Sequence, residues 1–158
     1  MKIKLVRPEG PLPEDKLAAV ERQLGMTFPQ SYRSFMLEYN GGRPVPAGFD
    51  IVWRSDQECG QDWRTSEISR LLSIYEGEKA NFLDYNTVMF KGRIPADTLA
   101  IAYDPGGNLI LLAHSGPMTG KVLFWVKDRE VEEGETPGHE NVGVIADSFQ
   151  ELLLHKLR

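Results

Sequence analysis

The sequence predicts an α+β fold with a central mixed, mostly antiparallel sheet flanked by helices. Three observations carry that reading. Apolar residues repeat at helical spacing in the first half of the 158-residue chain and again at its end. Between residues 87 and 146 the pattern changes to short apolar runs of strand length. The separators of those runs are rich in glycine, proline and asparagine, which reverse the chain. Helices first, strands clustered and a helix last is the order of an α+β fold rather than of alternating α/β units.

The first helix opens at Pro13, whose missing N–H is not needed in a first turn, with Glu14 and Asp15 beside the free amides. Leu17, Val20 and Leu24 form its apolar side, and Gly25 ends it as a left-handed cap. Pro29 opens a second helix, in which Tyr32, Phe35, Met36 and Tyr39 fall at i, i+3, i+4 and i+7. Asn40-Gly41-Gly42 stops it, because these residues tolerate positive φ. Residues 49–53 read as a strand and 54–65 as a polar excursion. Ile68, Leu71, Leu72 and Tyr75 repeat the helical spacing and predict a third helix, closed by Glu76-Gly77-Glu78.

Strands are expected at 87–90, 99–103, 109–113, 121–126 and 142–146. Asp104-Pro105-Gly106-Gly107-Asn108 joins two of them as a hairpin, and residues 114–120 form a second connector. Residues 127–140 hold six acidic residues against Lys127 and Arg129, together with Gly134, Pro137 and Gly138, and read as a solvated, mobile loop. The last helix starts at Asp147-Ser148, where either Asp147 with Gln150 or Ser148 with Glu151 has capping-box spacing. Phe149, Leu152, Leu153 and Leu157 make its inner face. No repeat or linker divides the chain, so residues 1–158 are expected to form one domain.

Composition narrows the class. The chain carries 18 basic and 23 acidic residues, a formal net charge of −5, which repels a phosphate backbone on average. The arginines are spread singly, and no base-reading motif is present, so direct nucleic-acid binding is not expected. No apolar run approaches the roughly 20 residues that cross a bilayer. Two lysines near the start are not followed by an apolar secretory core. A single cysteine, Cys59, excludes an intramolecular disulfide. The expectation is a cytoplasmic protein that binds no membrane.

Catalytic and cofactor signatures are weak or missing. His114, His139 and His155 form no H-E-x-x-H motif or i, i+4 pair, so no metal and no cofactor are expected. Asp104, Gly106 and Asn108 echo a calcium loop, but Pro105 and the glycine at 116, where a glutamate is needed, break it. Phosphate-binding glycine loops and the G-x-S-x-G elbow are missing too. Cys59 lies in a polar stretch that permits exposure, while Glu58 and Asp62 beside it raise rather than lower a thiol pKa. An enzyme would need a cleft placing Cys59 within hydrogen-bond reach of His114 or His139, or a defined carboxylate pair. The expectation is no catalytic residue.

A protein-binding surface remains. Trp53, Trp63 and Trp125 are candidate anchors, since tryptophan is rarely fully buried and anchors interfaces when exposed. Phe124 and Trp125 must point to opposite faces of their strand, so one can sit in the core and the other under a helix or partner. Trp63, at the edge of the polar excursion, is the better interface candidate, and a core role stays open for each of the three.

These residues also resemble a known family. Leu24-Gly25-Met26-Thr27-Phe28-Pro29, then Tyr32, Phe35 and Asn40-Gly41-Gly42, resemble the amino-terminal signature of the SUKH superfamily. Residues 99–102, Asp104 to Asn108, Gly120 to Trp125 and Ala146-Asp147-Ser148-Phe149 resemble its later part, and residues 45–79 match it least. The resemblance implies an α+β fold and a non-enzymatic role. Bacterial members are thought to be immunity proteins that bind and neutralise a partner toxin, often a nuclease, and fungal relatives regulate cell-wall synthesis through protein contacts. Its motif positions are Gly25, Pro29, Tyr32, Phe35, Asn40, Gly41, Gly42, Gly107, Asn108, Trp125, Asp147 and Phe149, nearly all explicable as turn, cap or core. The expected partner is therefore a cognate toxin domain, or alternatively a non-toxin protein in a regulatory or scaffolding role. Because many nuclease toxins are basic, acidic residues of 54–67 and 127–140 are expected to face the toxin. The candidates are Asp56, Glu58, Asp62, Glu130, Glu132 and Glu133, with Trp63.

Overall fold

Two proline-opened helices lead the chain. In the computed structural model, which describes residues 4–76 and 81–158, a two-residue strand β1 (Leu5–Val6) is followed by α1 (Glu14–Leu24) and α2 (Gln30–Glu38). Each proline stands one residue before its helix. Gly25 closes α1 at φ 73°, its N–H donating to the Arg22 carbonyl and that of Met26 to Glu21, as a left-handed cap requires. The turn into α2 is fixed by the buried Glu21 carboxylate, which accepts from the Phe28 N–H at 2.8 Å and pairs with Arg33 at 3.1 Å.

Short strands come next. β2 (Arg43–Pro44) pairs with β1, and β3 (Gly48–Asp50) pairs antiparallel with β4 (Thr65–Glu67). The main sheet has five antiparallel strands in chain order: β5 (Arg70–Leu71), β6 (Thr98–Tyr103), β7 (Leu109–Ala113), β8 (Val122–Trp125) and β9 (Val142–Ala146). Every residue of β7 and β8 is buried, so both sheet faces are covered. Phe124 marks one face, against Phe49 of β3 at 5.9 Å and Trp63 at 6.0 Å. Trp125 marks the other, with Phe90 set edge-on at 5.8 Å. Both rings are thus buried within the chain itself.

A run of ring contacts ties the helices together. Phe28 meets Phe82 at 5.6 Å and Tyr32 at 5.4 Å; Tyr32 and Phe35 each meet Phe149 at 5.1 Å. Phe149 opens α4 (Phe149–Glu151), which continues as a wider π-turn, Leu152–Lys156. Of the two caps the sequence allows, the fold uses Ser148, whose Oγ accepts from the Glu151 N–H at 3.0 Å. Asp147 instead pairs with Lys121 at 2.7 Å.

Two predicted elements are corrected. Ile68, Leu71 and Leu72 are buried, but on extended chain rather than on a helix: Ser69 and Leu72 donate to Tyr103 and Ile101 of β6. Because this sheet is covered on both faces, its edge strand lacks the two-residue alternation that would have distinguished it from a helix. The predicted closure at Gly77 and Glu78 lies outside the described residues. The run 87–90 is not a strand either. Residues 87–89 belong to the π-turn Tyr85–Met89 that continues α3 (Phe82–Asp84), and Phe90 caps its end. The Asn81 side chain caps α3 by accepting from the Asp84 N–H, and Thr87 Oγ1 donates back to the Leu83 carbonyl at 2.6 Å. These local bonds override the strand preference of Thr87 and Val88.

The hairpin at residues 104–108 is held by its own side chains. Asp104 is buried and accepts from the N–H groups of Gly106 at 3.0 Å and Asn108 at 2.7 Å, and from Ser66 Oγ at 2.8 Å. Gly107 supplies φ 84° in that hairpin, and Asn108 Oδ1 accepts from the Lys127 N–H. The echo of a calcium loop is therefore a self-satisfied turn.

Candidate protein-binding face

One buried side chain organises the polar excursion. Gln57 Oε1 accepts from the Arg54 N–H at 2.7 Å, while its Nε2 donates to the carbonyls of His139 at 3.0 Å and Val142 at 2.9 Å. The partners on the far side lie 82 and 85 residues along the chain. A short 3-10 helix, Glu58–Gln61, comes next, and Trp63 seats the segment on Phe124 while its carbonyl accepts from Trp53 Nε1. The two acidic stretches of the sequence are thereby fastened to each other.

Beside that fastening lies a shallow depression of about 270 Å³, lined by Asp56, Glu58, Cys59, Arg129, Glu140 and Asn141. Asp56, Glu58 and Glu140 are exposed, and Arg129 stands among them, 3.5 Å from Glu58. Asp62 is exposed on the same segment. Glu130, Glu132 and Glu133 are placed differently. They border a second depression of about 520 Å³ with Lys91 and Arg93, where Glu130 takes a forked pair from Arg93 at 2.8 and 3.1 Å. Glu130 is thus half-buried and already neutralised, whereas Glu132 and Glu133 are exposed. Trp63 is half-buried, so only part of its ring is presented outward. Gln57 belongs to this face although no local pattern in the sequence singles it out, whereas Arg129 and Glu140 fall in the charged stretch 127–140. A glutamine amid polar residues carries no signal of its burial.

Cys59 is buried rather than exposed, and burial pushes its thiol above the usual range. Among the described residues no hydrogen bond joins it to His114 or His139, and no three His, Cys, Asp or Glu side chains converge as a metal site. His139 Nε2 lies 3.7 Å from Asp97, and His114 is held below the ordinary imidazole range mainly by burial. No described helix is long and apolar enough to cross a membrane. The arrangement offers charge and shape to a partner.

The helix–turn–helix held by Glu21, the Asn40-Gly41-Gly42 stop and the Ser148-capped last helix all lie within one span matched by a family profile. The profile of the SMI1 / KNR4 family (SUKH-1) matches residues 11–155, nearly the whole chain. The chain belongs to that family. The SUKH resemblance and the α+β class expected from sequence are thereby borne out. No curated protein matches the sequence. SUKH membership carries an expectation of protein partners in general, and the partner's identity is a separate question.

Proposed function

We propose that this SUKH-1 protein is a non-enzymatic, cytoplasmic immunity protein that neutralises a partner toxin by direct binding. Its bacterial relatives in the superfamily are regarded as immunity proteins, and nothing in its side-chain chemistry asks for a reaction. The observation that carries the reading is the Gln57 fastening, which sets Asp56, Glu58 and Glu140 around one depression, where Arg129 is the one cation among the described lining residues. A basic toxin domain, such as a nuclease with a phosphate-binding surface, complements such a face. Attraction between the two speeds encounter and fixes register more than it adds affinity. Neutralisation then results from occlusion alone.

The test is co-expression with the toxin-like domain encoded beside the gene, scored as survival, with calorimetry on the purified pair. Rescue with one-to-one binding near nanomolar supports the proposal. Association should slow by about tenfold or more between 50 and 500 mM salt. A rate that stays flat would remove the acidic face from the argument. Continued killing by a folded, non-binding protein would move the weight to a regulatory role with another protein partner.

A further inference from the structure

We draw no further inference here: the strongest candidate, the open groove of about 690 Å³ between α2 and the last helix, walled by Phe35, Tyr39, Phe149 and Leu153, carries nothing because the structure does not show what covers it.

Discussion

The side chain of Asn40 forms a reciprocal pair with the backbone of Ile74: its Nδ2 donates to the Ile74 carbonyl and its Oδ1 accepts from the Ile74 N–H, both at 2.8 Å. Asn40 thus acts as one rung of a strand ladder, supplied from the end of a helix. Its φ of 54° is what turns the amide toward β5's continuation, and the next residues, Gly41 and Gly42, carry the chain along β5 to the Gly42–Leu71 bridge. Asn86 repeats the device from the π-turn, donating to the Ala100 carbonyl and accepting from the Ala100 N–H, again at 2.8 Å each. Helix ends are fastened to the sheet's backbone by amides that imitate a peptide group.

Replacing Asn40 by glycine keeps the left-handed backbone but leaves the Ile74 N–H and carbonyl unpaired in the core. Each buried orphan costs about 1–3 kcal/mol, so a loss near 3 kcal/mol is expected. Asn40→Ala adds backbone strain of about 1 kcal/mol. Urea denaturation should therefore rank wild type, then Asn40→Gly, then Asn40→Ala. Equal midpoints for all three would deny the pair its role.

Two left-handed glycines should answer alanine differently. At Gly25, φ 73°, an added Cβ meets nothing within 4 Å, so only the backbone strain of about 1 kcal/mol applies. At Gly41, φ 86°, the same Cβ would stand 2.3 Å from Ser73 Oγ and 2.8 Å from the Leu71 carbonyl oxygen. The backbone there is locked by the Gly42–Leu71 bridge and cannot move aside. Gly41→Ala is expected to cost about 3 kcal/mol or more, and Gly25→Ala about a third of that, read from thermal melts.

How far the sequence reached depends on where each signal is stored. Helices α1 and α2 and strands β6 to β9 were legible because their caps, turns and periods are written within a few residues of themselves. The segment 68–75 was not, because burial on both faces erased its alternation, and only the distant Gly42 and β6 decide its shape. For the candidate face, the charges of Asp56, Glu58 and Asp62 were readable. Their meeting with Glu140 and Arg129 was not, since it depends on Gln57 reaching across more than 80 residues. The burial of Cys59 was not legible either: the polar chain around it permits exposure, and only the folded loop buries the thiol.

Tyr32 is wholly buried between Phe28 and Phe149, and its hydroxyl has no hydrogen-bond partner among the described residues. Burial pushes its ionisation far above the ordinary 10.0. A folded-state value raised above the unfolded one gives stability that is complete below about pH 10 and lost as pH climbs past it. Tyr32→Phe removes the orphan without changing the ring packing. It should be neutral or stabilising by about 1 kcal/mol at pH 7 and should flatten the loss above pH 10, by melting temperatures at pH 7 and 10.5. A clear loss at pH 7 would reveal a partner for the hydroxyl.

Gln57 gives the most discriminating variants, because both ends of its amide are used with opposite polarity. Gln57→Ala abandons the Arg54 N–H and the carbonyls of His139 and Val142, at about 1–3 kcal/mol. Hydrogen exchange should then quicken in residues 54–64 and 139–143 and stay unchanged in β7, whose hydrogen bonds lie elsewhere. Gln57→Glu keeps an acceptor for Arg54 but sets a carboxylate against two carbonyl oxygens. Its folded state must favour the protonated acid, whose O–H can still donate. Its stability relative to wild type is therefore lost as pH rises through the carboxyl range and recovered as pH falls below about 5, a slope that Gln57→Ala lacks. Parallel pH profiles for the two variants would mean that the amide fills space without fastening. If the slope appears and partner association also slows in Gln57→Ala, the acidic face works only when its two segments are held together, although Gln57 itself lies too deep to touch the partner.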